Sequence, residues 1–158
     1  MPLDRLTPAC SLCSPDLGLL LAESAHWRLI LNHNQNLLGK CFLVLRRHQE
    51  AVPDVTAAEW AELQRELARA TRALAATFRP DHVNYAFLQN QDRHVHLHII
   101  PRYASPRGFG VQVFADPDYP GHYAVPSPAR RLAPPELAGL TAALREALFP
   151  ATGRDAPG

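Results

Sequence analysis

The chain has 158 residues, enough for one domain with a substantial core and too few for two. Its formal net charge is +1, which excludes a broad basic surface for nucleic acid or membrane, so any anionic partner must be recognised locally. The longest early apolar run, residues 17–22, is too short to span a bilayer and no signal-peptide pattern precedes it; a cytoplasmic protein without membrane contact is expected.

In chain order, Cys10 and Cys13 form a C-x-x-C pair in a tight turn over residues 10–16. With Cys41 they make three cysteines, too few for a disulfide framework, so the pair points to metal or redox chemistry. A redox role is disfavoured because no strand leads into a helix opened by the pair; an unligated pair in a mobile N-terminus is the plainer alternative. Residues 26–31 and 41–46 read as strands, the second of them buried, with Cys41 a core residue. Thr56-Ala-Ala-Glu59 is a capping-box pattern. Behind it Trp60, Leu63, Leu67, Ala70 and Leu74 recur at helical spacing and predict a core-facing stripe, and Pro80 closes the helix. Residues 82–88 and 94–102 read as two more strands joined by a short polar turn over 89–93. Eight of the 15 prolines lie between residues 117 and 157. They divide a regular body, 1–115, from a Pro-rich extension, 116–158, with one helix over 135–149 and a disordered end over 151–158. Strands in succession around one long helix predict an antiparallel α+β domain rather than a doubly wound sheet.

His94-Val-His96-Leu-His98-Ile-Ile100 is the most informative stretch. On a strand, side chains alternate faces, so the three imidazoles are expected on one face and the apolar residues on the other. A solvated strand face rich in histidine is the bland reading, but histidine has no strand propensity that would produce it. Imidazole is a good nucleophile near neutral pH when its other nitrogen is held as a donor, and neighbouring rings can hold phosphoryl oxygens. A metal-dependent hydrolase using the H-x-H-x-H face is the competing chemistry. Such sites usually add a carboxylate, and no glutamate follows the triplet until Glu136.

This run, continued by Pro101-Arg102, resembles the histidine triad (HIT) superfamily, whose motif of three histidines alternating with apolar residues it matches at every position. The resemblance covers roughly residues 10–103. It implies a HIT-like antiparallel sheet of about five strands with one long helix. It also implies a nucleotide hydrolase or nucleotidyl transferase acting on a dinucleoside polyphosphate or a nucleoside phosphoramidate. By resemblance, His96 is the nucleophile that forms a nucleotidyl-histidine, its second nitrogen donating to the His94 carbonyl, and His98 contacts the α-phosphate. Asn32 corresponds to a ribose-binding position, although a turn role in the polar cluster over residues 32–36 is an equal reading. Gln89 corresponds to a glutamine near the leaving-group oxygen. Two departures bear on specificity: Lys40 stands where many relatives carry histidine, and the loop before the triad is short and lacks the usual small or hydroxyl-bearing residues.

Cys10, Cys13, His48 and His94 supply two thiolates and two imidazoles, a set suited to tetrahedral zinc and similar to that of zinc-bearing HIT branches. A structural Zn2+ is expected on these four, with no organic cofactor. HIT domains commonly pair, and five short strands with one helix leave a sheet edge open, so a homodimer is expected. Two rival functions remain: a nucleotide-sensing module with little turnover, and DNA-end processing. The second is disfavoured because the C-terminus carries neither Cys nor a His pair for an added zinc finger.

Overall fold

The computed structural model describes residues 10–14 and 19–151. Five strands, β1 (Leu20–Glu23), β2 (Trp27–Leu31), β3 (Cys41–Leu45), β4 (His82–Ala86) and β5 (His96–Arg102), form one antiparallel sheet in the order β1-β2-β3-β5-β4. Helix α1 (Ala57–Phe78) lies between β3 and β4 in the chain, and helix α2 (Pro134–Leu148) packs on α1 and β1. A separate hairpin, β6 (Arg107–Phe109) with β7 (Gln112–Phe114), follows the sheet. The architecture is the expected α+β one. β1 and the hairpin are additions: β1 buries two consecutive residues, Leu21 and Ala22, so it has no alternation to read, and each hairpin strand has three residues. Of the expected turn over 10–16, residues 15 and 16 lie outside the described part, as do residues 152–158 of the expected disordered end.

The alternation of β3 and β5 builds the two faces of the sheet. Cys41, Leu43, Leu45, Leu97 and Ile99 join the main core beneath α1, while Ile30 and Val44 join Leu12 in a small cluster on the opposite face. His96 and His98 fall on that opposite face, paired across the ladder with Val44 and Phe42. The His94 end of the motif differs from expectation. β5 begins only at His96, and His94 sits in a bend outside the ladder, so the three rings do not share one face.

Helix α1 opens on the expected capping box: the Glu59 amide donates to Thr56 Oγ1 at 3.3 Å, and the Thr56 amide to Glu59 Oε2 at 2.8 Å. It ends at Arg79, which takes a left-handed φ of 50° immediately before Pro80. Leu63, Ala70 and Leu74 are buried and Leu67 packs on the core, but Trp60 is 40% exposed. The place expected for Trp60 is taken by Trp27, fully buried with its indole N–H donating to the Glu59 carbonyl at 2.9 Å, and Trp60 turns outward to meet Phe87 edge-on.

Two further features position the site. Gly39 has φ +84°, and a Cβ there would lie 2.9 Å from side-chain carbons of Leu74 and Phe78. The loop thus passes α1 closely enough that only glycine fits, and the next residue, Lys40, enters the opposite face. After β7 the chain returns over that face as a strap. Asp116 accepts from Arg102 Nε at 2.7 Å and Nη2 at 3.2 Å, and both side chains are almost wholly buried. Further along, Asn34 Nδ2 donates to the Pro128 carbonyl at 3.0 Å, while the Arg130 amide donates to Asn34 Oδ1 at 2.9 Å.

Candidate active site

On the open face of β5 the His96 and His98 rings approach each other edge to face, with Nε2 of one 3.1 Å from Nε2 of the other. His96 Nδ1 lies 2.6 Å from the His94 carbonyl oxygen. A carbonyl can only accept, so Nδ1 carries the proton and Nε2 of His96 keeps its lone pair. His98 then supplies the hydrogen between the two Nε2 atoms. Burial, together with the neighbouring His96 and Lys40 charges, pushes the His98 imidazole down to about 4, against a smaller opposing pull from Asp92, so the ring is neutral at pH 7. Phe42, opposite His98 in the ladder, packs against both imidazoles with centroids 6.1 and 6.2 Å away. The sequence reading did not single it out; its signal was its register, alternating with the core residues of β3.

The pair opens on a cleft of about 360 Å³ that is also lined by Asn32, Lys40 and Gln89. The five residues named from the sequence for catalysis and substrate are therefore in one place. Asn32 has two employments: its Oδ1 accepts the Asn34 amide at 2.9 Å, closing a turn, while the residue lines the cleft. Gln89, at a left-handed φ of 49°, has its side-chain amide engaged with the Glu50 carbonyl at 2.7 Å. Lys40 is buried, and its ammonium donates to two neutral acceptors, Asn36 Oδ1 at 2.7 Å and Ser127 Oγ at 3.5 Å. Burial lowers its pKa to about 8.

Gln35 holds this loop, and sequence reasoning missed it. Fully buried, it donates to the carbonyls of Asn32 at 2.7 Å and Lys40 at 2.9 Å, and accepts the Gly39 amide at 2.9 Å. A glutamine in a polar run carries no such mark in sequence. Asp92, Val125 and Ser127, which also line the cleft, were likewise unmarked, the last two because the strap has no periodic pattern; Tyr123, the end of a segment expected either to cap the pocket or to pack on the sheet, lines the cleft as well.

The remaining candidates assemble behind the first ring. Donor atoms of Cys10, Cys13, His48 and His94 all lie within 4.8 Å of one another. Cys10 Sγ is 3.4 Å from His94 Nδ1, and Cys13 Sγ is 3.3 Å from His48 Nδ1 and 3.5 Å from His94 Nδ1. Tetrahedral zinc bonded at its usual lengths to sulfur and nitrogen requires S···N edges of about 3.5 Å, which these match. The ring orientation fits as well. His94 Nε2 donates to the Leu45 carbonyl at 2.6 Å, so the nitrogen facing the thiols is the unprotonated one. Burial, reinforced by His48, His96 and Arg28 and opposed by the Leu45 hydrogen bond, lowers the His94 pKa and favours the neutral ring a metal needs. These residues fit zinc. Their use of His94 leaves the H-x-H-x-H face with two imidazoles, so a three-histidine metal site does not form there. Among the described residues, no helix is long and apolar enough to cross a membrane.

A model of the HIT domain matches residues 19–105. Among solved structures, a histidine triad protein from Sinorhizobium meliloti is 20% identical with a TM-score of 0.67, the match covering 81% of this chain and 87% of that one. A hypothetical histidine triad nucleotide-binding protein from Sulfolobus tokodaii is 17% identical with a TM-score of 0.61, covering 82% of each chain. A Zn-bound histidine triad family protein from Mycobacterium smegmatis is 20% identical with a TM-score of 0.56, covering 87% of this chain and 94% of that one. No curated protein matches the chain significantly. At these identities the structural likeness speaks for the fold. With the domain model spanning more than half of its length, the chain belongs to the HIT domain family.

Proposed function

We propose that the protein is a nucleotide hydrolase or nucleotidyl transferase working through a nucleotidyl-His96 intermediate. Its substrate would be a dinucleoside polyphosphate or a nucleoside phosphoramidate. The family includes nucleotide hydrolases and transferases, alongside members without catalysis. The observation that carries the reading is the contact that sets the His96 tautomer: Nδ1–H donates to the His94 carbonyl, which leaves Nε2 with its lone pair on a ring that lines the cleft.

On this reading Nε2 attacks the α-phosphorus and forms a P–N bond. The leaving group departs with the electron pair of its bond and takes up a proton. Water, or another acceptor, then attacks phosphorus and releases its proton to solvent, which balances the proton the leaving group took up, and the Nε2–P electron pair returns to the ring. The His94 carbonyl stabilises the positive charge that the ring carries while it is phosphorylated. The neutral His98 ring turns its N–H from His96 Nε2 to a phosphoryl oxygen, and Lys40 supplies positive charge nearby. Asn32 would hold the ribose, and Gln89 would lie by the leaving group. Zinc on Cys10, Cys13, His48 and His94 would have a structural role, fixing the residue whose carbonyl holds His96. The reduced thiols this requires suit a cytoplasmic setting.

Quenching during turnover with adenosine and guanosine substrates, followed by mass spectrometry, should find nucleotide mass on the peptide containing residues 94–100. His96→Ala should lower turnover by orders of magnitude while nucleotide affinity changes little. No adduct, together with normal turnover by His96→Ala, would refute the reading. Nucleotide binding without turnover by the wild type would identify a sensing module instead.

A further inference from the structure

The segment over residues 89–93 joins β4 to the triad strand, and Gln89, Asn90, Gln91 and Asp92 in it line the cleft. It carries no apolar side chain, so burial cannot hold it in place. Among the described residues, two hydrogen bonds tie it to the rest of the chain, and both end beside the Cys–His cluster. The Ser11 hydroxyl, inside the C-x-x-C turn, donates to Asp92 Oδ1. The Gln89 side-chain amide donates to the Glu50 carbonyl at 2.7 Å. The Glu50 carboxylate in turn lies 3.5 Å from Nε2 of His48, whose Nδ1 faces Cys13. His94, the fourth donor of the cluster, follows the segment directly.

We propose that Ser11 is a positioning residue for the triad cleft, fastening the loop that carries Gln89 and Asp92 to the turn that bears Cys10 and Cys13. The inference rests on the nucleotide reading only for what Gln89 does in the cleft; the fastening itself does not. Ser11 is exposed and its hydroxyl bonds Asp92, so it is free of the ligand set while riding on it. The turn is seated through Leu12 on Ile30 and Val44, and through the two thiols on His48 and His94. A metal on those four donors would lock the turn, the segment after β3 and the bend before β5 to one another. The loop then has a fixed point at Asp92, another at Gln89 and a third at His94. Gln89 has need of them: its left-handed φ of 49° is a conformation that a residue with a side chain keeps only where its surroundings impose it. A group placed beside a leaving atom acts only if it is held to within about 1 Å.

The test is hydrogen exchange, read by mass spectrometry on the full chain as purified. Ser11→Ala should speed exchange over residues 89–93 by about threefold to tenfold, the loss of one hydrogen bond to a carboxylate. Residues 94–100 should exchange as in the wild type and zinc content should be the same. Ser11→Thr, which keeps the hydroxyl, should restore the wild-type pattern. On diadenosine triphosphate or adenosine phosphoramidate, Ser11→Ala should lower kcat by about threefold to tenfold, while adenosine monophosphate affinity stays within about twofold. Unchanged exchange over 89–93, or loosening that spreads equally over 94–100, overturns the fastening and leaves the nucleotide reading intact. A loosened loop with wild-type kcat overturns the positioning role. If the wild type turns over neither compound, the nucleotide reading falls and the exchange measurement alone decides the fastening.

Discussion

Lys40 sits in the cleft with its ammonium on two neutral acceptors and a pKa of about 8, against an ordinary 10.5. A buried cation without a counter-charge costs stability, and on the proposed function its counter-charge would be the substrate's phosphate. The two consequences have opposite signs. Between pH 8 and 10.5 the unfolded chain holds a proton that the folded chain has released, so stability rises with pH across that window, and the cost of burial is fully present below pH 8. Phosphate affinity moves the other way, falling as the free protein's ammonium deprotonates through pH 8. Lys40→Met should therefore raise the thermal midpoint at pH 7 while weakening nucleotide monophosphate binding. The difference in affinity between variant and wild type should fade by about pH 10. Thermal melts and calorimetric titrations over pH 6.5–10 would check both; a variant that is less stable and binds equally well would show that Lys40 is structural.

The elements around the triad divide into those the sequence displays and those it hides. Strand β5 was legible because alternation put His96 and His98 on one face and Leu97 and Ile99 on the other, and α1 because Thr56 and Glu59 cap it. His94 was assigned as a zinc ligand from its resemblance, but its departure from the strand was not legible: periodicity has no term for two thiols drawing a ring away from a ladder. The candidate zinc site also joins elements remote in sequence, the turn at Cys10 and Cys13, the segment after β3 and the bend before β5. Metal bound there should contribute on the order of 10 kcal/mol, so Cys13→Ala should lower the thermal midpoint by more than about 10 °C. Elemental analysis of the wild type should give one zinc per chain, and stripping it with a chelator should reproduce the variant's melting curve. Protein prepared without chelator that lacks zinc and melts like Cys13→Ala would rule the site out.

At the scale of the molecule, the sheet ends on two edges that are treated differently. The β1 edge is attended by α2, whose Arg145 donates to the Leu20 carbonyl. Among the described residues, β4 is hydrogen-bonded on one side only, to β5, and Tyr85 on it is 45% exposed. An unpaired edge next to an exposed aromatic is the place where a second copy can add its own strand, and the homodimer we propose would use it. Light scattering at micromolar concentration should report twice the chain mass, and Tyr85→Lys should shift the population toward monomer. Wild-type protein that scatters only as monomer would exclude the pairing.

Arg102 and Asp116 join the last residue of β5 to the beginning of the strap, with both charges nearly out of water. Removing one partner of such a pair strands the other, at a cost of about 3–5 kcal/mol, a large part of the stability of an ordinary domain. Among descendants of this sequence, neither residue can drift alone. Each single substitution passes through a poorly folded intermediate, so the two are inherited together or exchanged together for an apolar pair. Because Asp116 also orders the segment that leads to Tyr123, that constraint extends from the charged pair to the strap. Lineages would then be free to vary the strap residues that line the cleft while keeping the anchors that present them, without disturbing the triad.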